Sequence, residues 1–381
     1  LPNGSLAAHR SRGVVFVSPA KSGRVVTVRG KNRVTMADVA HEAGVSVASV
    51  SNFLNKQPYM SEAMAARIAE AIDRLGYKVN SSARNLRSGR TRLLKLVIPD
   101  LRQVYFSELA EDILAEARQH GYGVIVESTT NNRARELESI ASMGTHSADG
   151  LILSPLMMTV DDIAALDGDY PLVLLGERLF GVNAPHVVIR NREGAAAATY
   201  HLLDAGCRRI AVVGAVPHPE HDFSSGSIRT HGYREALAAR DIPCDDSLLI
   251  ETQGWGSADG LAAVDTMLES GLQFDAVFAL NDLLAWGVLR ELRERGVAVP
   301  DDVRVIGFDD VEESAYMVPS LSTVNPGREA IARLAVESIR SNPAAVPPPK
   351  PSRPPIASPC ASPRRRWPAP DESMVRNIRS E

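Results

Sequence analysis

Polar side chains gathered at the ends of apolar runs mark where this chain could do chemistry. Pro99-Asp100, Gly176-Glu177, Asn281-Asp282 and Asp309-Asp310 each stand just beyond a run of strand length. Carboxylates and amides so placed can accept from and donate to a small polar molecule. Metal chemistry is less well supplied. His41-Glu42 opens like the helix of a zinc protease, but the second histidine of that motif falls on Val45. His218, Glu220, His221 and Asp222 carry ligating side chains in a Pro-containing loop and read as a solvated edge rather than a metal site. No Gly-x-Ser-x-Gly elbow, phosphate-binding loop or dinucleotide fingerprint occurs. The chain therefore reads as a binding protein, not an enzyme, with no cofactor and no metal.

Charge points to a second kind of partner. The 381 residues carry a net charge of −4, yet between Lys31 and Arg92 ten basic residues face five acidic ones. A basic segment in an acidic protein is the electrostatic footprint of a nucleic-acid contact. Cys207, Cys244 and Cys360 have no paired spacing, which fits a reducing compartment. No apolar stretch reaches the roughly 18 residues of a membrane span. A cytoplasmic protein without a membrane partner is expected.

The elements that must hold these groups change character along the chain. Residues 1–33 contain no acid and no sustained periodicity, and read as an unstructured extension. Thr35 and Asp38 have capping-box spacing ahead of a helix that reaches Ala43, with Gly44 supplying the turn. Ser46 caps a second helix, Val47 to about Asn55, and a third begins at Ser61, places Met64, Ile68, Ile72 and Leu75 on one face and ends at Gly76. Beyond Thr91 the apolar runs Leu93–Ile98, Val124–Val126, Leu151–Leu153 and Leu172–Leu175 alternate with helical stretches such as Glu108–His120. A second series follows in Arg209–Val213, Ala276–Leu280 and Val303–Ile306. Two such series predict two lobes built on parallel sheets, with a ligand site beyond the carboxyl ends of the strands.

The stretch from Val34 to Asn55 closely resembles the helix-turn-helix of the LacI/GalR repressor family. The resemblance continues through Gly76-Tyr77, Ala83 and Leu86, then Ile98-Pro99-Asp100-Leu101, Gly150-Leu151-Ile152, Arg229-Thr230-His231-Gly232-Tyr233 and Ile306-Gly307-Phe308-Asp309-Asp310, covering roughly four-fifths of the chain. It implies a small all-α helix-turn-helix domain (34–78), a hinge (79–91), an α/β two-lobed domain like the periplasmic sugar-binding proteins (92–342), and a tail (343–381). By position Val47, Ala48 and Asn52 would read base edges: the first two by apolar contact with a thymine methyl, Asn52 by pairing with adenine. Thr35, Ser46, Ser49, Ser51 and Asn55 would touch phosphates or serve as caps. In the family the hinge turns helical on DNA, and Leu86, beside Ala83, would wedge into the minor groove. Val79 stands where many members have proline.

The same resemblance implies an effector site of Tyr105 and Phe106 on the first lobe and Ser225, Arg229, Trp255, Asn281 and Asp309 on the second. Their chemistry suits a polyol such as a sugar: Asp309 accepts, Arg229 and Asn281 donate, and Trp255 offers a face to stack on. A purine or another polar metabolite also fits, and Arg229 with Asp309 could instead be a structural ion pair across the cleft, as Tyr105 and Phe106 could be core. Gln103-Val104-Tyr105-Phe106 replaces the usual Asn-Pro-Phe-Phe, and Gly176 lacks the acid of some sugar binders. The expected protein is a repressor that binds a pseudo-palindromic operator in double-stranded DNA as a homodimer and is switched by the effector. The alternative is a ligand-binding protein of the same core without regulatory activity. Ten of the 24 prolines lie between Pro347 and Pro370, so the tail is expected to be disordered and the second lobe to lack the final strand of its relatives.

Overall fold

Three short helices open the described part of the chain: α1 (Met36–Ala43), α2 (Val47–Leu54) and α3 (Glu62–Leu75). The computed structural model describes residues 34–54, 60–77, 90–145, 147–179, 182–218, 224–341 and 375–376. Asn55 and the hinge residues Ala83 and Leu86 lie outside them, as do the 1–33 extension and most of the Pro-rich tail. Thr35 caps α1 as its spacing predicts: its Oγ1 accepts from the Asp38 N–H at 3.3 Å while the Asp38 carboxylate accepts from the Thr35 N–H at 2.8 Å. Such a box contributes about 1 kcal/mol. Gly44 ends the helix at φ 61°, where a side chain would be strained. Val39, Ala40, Val50, Ile68, Ala71 and Tyr77 then close a small core. Arg74 lies at 2.8 Å from Glu42 and 2.6 Å from Glu70, so its charge is turned onto the domain's own acids.

Residues 85–381 form a separate unit. Its first lobe has a parallel sheet in the order β2-β1-β3-β4-β5, from β1 (Leu93–Ile98), β2 (Gly123–Ser128), β3 (Gly150–Leu153), β4 (Leu172–Leu175) and β5 (His186–Val187). Alternation along β1 sends Leu94, Leu96 and Ile98 to one layer and Val97 to the other. Helix α4 (Val104–Gln119) covers the first layer, and α5 (Arg133–Ala141) follows β2. The second lobe repeats the pattern in the order β7-β6-β8-β9, from β6 (Ile210–Val213), β7 (Leu249–Ile250), β8 (Ala276–Ala279) and β9 (Arg304–Ile306). Its helices are α6 (Asn191–Asp204), α7 (Ser225–Ala238), α8 (Ser257–Glu269) and α9 (Asp282–Glu294). Gly287 lets α8 and α9 meet, since a methyl group there would overlap the Ser257 carbonyl.

The chain passes between lobes three times: between β5 and α6, from Phe308 in the second core to Val311 in the first, and between β10 (Thr323–Val324) and α10 (Arg328–Ser341), which packs back on the first lobe. One expectation about the tail needs correction. Val375–Arg376 forms β11, antiparallel to β10. The prolines that argued against a further strand end at Pro370, and both residues of β11 keep the backbone donor that proline lacks.

Candidate functional site

Helix α2 presents the first candidate surface. Val50 turns inward and is fully buried, whereas Val47, Ala48 and Asn52 are exposed and Ser51 is half-buried. At 41% exposure Val47 is a large apolar side chain held in water beside an amide. Ser46 begins the helix by accepting from the Ser49 N–H at 3.1 Å, and the two hydroxyls lie 2.9 Å apart. Thr35 and Ser46 are thus caps in this structure, and Ser49 supplies the N–H that Ser46 satisfies. The residues expected to read bases are all exposed and make none of the domain's core contacts.

The second candidate lies at the carboxyl ends of the second-lobe strands. Arg229, in the second turn of α7, is 3% exposed. Its Nε donates to Asn191 Oδ1 at 2.8 Å, a terminal nitrogen donates to the Leu280 carbonyl, and the other stands 3.5 Å from Asp309 Oδ1. The guanidinium lies 3.5 Å from the centre of the Phe308 ring and 5.8 Å from that of Trp255, a cation-π arrangement that is strongest when water is excluded. Arg229 stands on the second lobe and Asp309 at the start of the crossing from Phe308 to Val311.

Asn281 caps α9 by accepting from the Leu284 N–H at 2.8 Å and donates to the Trp255 carbonyl at 3.1 Å. That leaves one amide hydrogen for a ligand. Ser225 and Trp255 are half-buried beside this group. Asp309 is held at φ 122°, a conformation that non-glycine residues rarely adopt and that clusters at functional sites. Burial pushes its carboxyl up to about 7 against the pull of Arg229. Burial likewise lowers the Arg229 pKa.

Two residues join this network that the sequence did not single out as site residues. Asn191, 1% exposed, donates to both oxygens of Glu177 at 3.2 Å. Glu177 is pushed up to about 7, by burial first, with Arg229 and Asn191 opposing. A continuous path therefore runs from Glu177 beyond β4, through Asn191 and Arg229, to Asp309. Glu177 carried a signal as a strand-end polar residue. Asn191 carried none, because β5 before it is only two residues long. On the first lobe Tyr105 is 8% exposed and its hydroxyl titrates above its ordinary range, from burial and then the Asp309 charge. Phe106 meets it edge-on at 5.3 Å and packs on the first-lobe core.

Comparison with known proteins identifies both parts of the chain. Residues 35–80 match the family described as bacterial regulatory proteins, lacI family, and residues 199–360 match a periplasmic binding protein-like domain. Catabolite control protein A of Priestia megaterium is 32% identical over 293 residues, 76% of this chain and 87% of that protein. A LacI-type transcription regulator from Bifidobacterium animalis subsp. lactis is 34% identical with a TM-score of 0.62, over 65% of this chain and 90% of that one. The regulator CelR in complex with cellobiose is 27% identical with a TM-score of 0.60, over 84% and 96%. The chain belongs to the LacI family of bacterial transcriptional regulators. No helix among the described residues is long and apolar enough to cross a membrane.

Proposed function

We propose that this protein is a cytoplasmic repressor that binds a pseudo-palindromic operator as a homodimer and changes its operator affinity when a sugar occupies the cleft. One observation carries the reading: the same chain presents Val47, Ala48 and Asn52 outward on a capped helix and keeps a buried, incompletely neutralised polar network at the strand ends of its core. Val47 and Ala48 contact a thymine methyl, Asn52 pairs with adenine, and Thr35, Ser46, Ser49, Ser51 and Asn55 position the helix on phosphates. Ala83 and Leu86 supply the minor-groove wedge.

In the cleft, Asp309 and Glu177 exchange hydrogen bonds with sugar hydroxyls, as carboxyls whose pKa burial raises can both accept and donate. Arg229, Asn281 and Ser225 add polar contacts, and Trp255, Tyr105 and Phe106 give apolar faces to the sugar ring. The cellobiose bound by CelR supports the class of ligand.

Selection of duplexes from a random library, with and without a panel of mono- and disaccharides, tests this. A recovered pseudo-palindrome whose retention changes with one sugar is the expected result. Asn52→Ala should then lower affinity by about 1–3 kcal/mol and relax preference at one base pair in each half-site. Recovery of a single unrepeated half-site, or no response to any sugar, would defeat the corresponding half of the reading.

A further inference from the structure

A cavity of about 790 Å³ lies at the amino ends of the first-lobe strands, the opposite edge of the parallel sheet from Asp100 and Glu177. It is bounded by the residues just before β1, β3 and β4 and by the last turn of α10. Its volume falls in the range of small-molecule sites, roughly 300–1,000 Å³. Ile140, Met143, Ala148 and Ile339 line it with apolar surface, none of them more than 7% exposed. The half-buried rings of Tyr122 and Tyr170 complete the wall. Tyr170 rests so closely on Gly168 that a methyl group there would overlap its ring, so the backbone sets the ring's place.

Two polar groups in this wall lack the partners that buried or charged groups normally have. The Tyr170 hydroxyl is shielded from water and makes no hydrogen bond among the described residues, a state that folded proteins rarely leave unexplained. The Arg340 guanidinium touches His120 Nε2 at 3.4 Å and forms no ion pair with a carboxylate among the described residues. Of the three carboxylates that line the cavity, Asp149 already accepts from the Thr91 and Arg92 N–H groups, at 2.5 and 3.0 Å. Asp167 and Asp169 are exposed. We propose that this cavity is a second ligand site, separate from the cleft, for a planar aromatic acid that bears a ring hydroxyl. The ring lies on the apolar wall and the tyrosines, the carboxylate pairs with Arg340, and the hydroxyl donates to Asp167 or Asp169. Tyr170 gains the acceptor it lacks. A saccharide fits poorly, because four apolar side chains give its hydroxyls no partner and an unpaired buried polar group is costly. The site does not depend on the sugar reading of the cleft.

The test uses the full chain, with hydroxynaphthoate as the probe and naphthol as the same ring without its carboxylate. Calorimetry should show one saturable site for the acid below about 1 mM, and weaker binding of naphthol. Arg340→Met, at an exposed position, should weaken the acid about tenfold or more, as loss of a charge-assisted contact does, while naphthol changes less than about twofold. Tyr170→Phe should weaken the acid about two- to tenfold. Gly144 also lines the cavity, and a Cβ built there meets nothing within 4 Å, so Gly144→Trp enters open space and should abolish binding of both compounds. No saturable binding of the acid by the wild type would overturn the proposal. So would an acid affinity unchanged in Arg340→Met or Gly144→Trp, or equal losses of acid and naphthol in Arg340→Met.

Discussion

The two lobes share a strand order, yet a buried carboxylate plays different parts at Glu136 of the first and at Asp309 of the second. In the first lobe, Lys95 is 2% exposed in the middle of β1, but its ammonium donates to the Ser139 carbonyl at 2.8 Å and the Ser142 hydroxyl at 2.6 Å and pairs with Glu127 at 2.8 Å. Glu136 is completely buried, and its carboxylate accepts from the backbone N–H groups of Leu156, Met157 and Met158 at 2.9–3.1 Å. Lys95 and Glu136 are both committed to scaffolding. In the second lobe, the closest cation to Asp309 is 3.5 Å away, and the group sits near 7. Equal burial thus has two meanings. A carboxylate saturated with donors is part of the frame, whereas one short of donors is available to a ligand.

Breaking the frame should have the largest effect. Glu136→Gln strands backbone donors in the loop after β3 and should cost about 3 kcal/mol in urea unfolding, since an unsatisfied buried group costs roughly 1–3 kcal/mol. A loss below half a kilocalorie would mean that the loop re-forms its bonds elsewhere and that the contrast between the lobes is only apparent.

Next comes the site. Arg229→Ala or Asp309→Ala should weaken sugar binding by about 2–3 kcal/mol, the range for charge-assisted hydrogen bonds, and so remove the switch. Operator binding in sugar-free buffer should persist. Calorimetry and gel shift together check this, and a normal sugar response in either variant would put the effector elsewhere.

The pH dependence of stability tests the same contrast from another side. Asp309 has an ordinary value of 3.8 and titrates near 7 in the fold. Between those values the folded state keeps a proton that the unfolded state has lost, so stability falls as pH rises through that window, by at most about 1.4 kcal/mol per unit. Glu177, near 7, and Asp282, near 8, act in the same direction. Asp309→Asn should therefore flatten, without abolishing, the decline in unfolding free energy between pH 5 and pH 8. An unchanged decline would show that the carboxyl is already neutralised by Arg229.

What the sequence revealed followed the range over which each signal acts. The β1 and β3 runs and the Thr35 capping box are local patterns and were legible. Helix α4 begins at Val104, four residues before Glu108, because Gln103 stands at its N-cap without a side-chain cap bond to announce it. The strands β5, β7 and β10 are two residues each, too short for alternation to show. Arg229 and Asp309 were placed by resemblance and are brought together here. Glu177 was visible only as a strand-end polar residue, and Asn191 was missed because its bonds, across 38 residues to Arg229 and across 14 to Glu177, leave no periodic trace.

The three crossings also set an order of construction. The second-lobe sheet has all four strands once synthesis passes Ile306, but the helix that covers Leu94, Ile113 and Val173 of the first lobe lies at Arg328–Ser341. The lobe that begins first is therefore finished last. Until the ribosome has released residue 341, one apolar layer of its sheet is covered by α4 alone, and a nascent chain stopped shortly before α10 would hold a second lobe with its whole sheet joined to an unfinished first one.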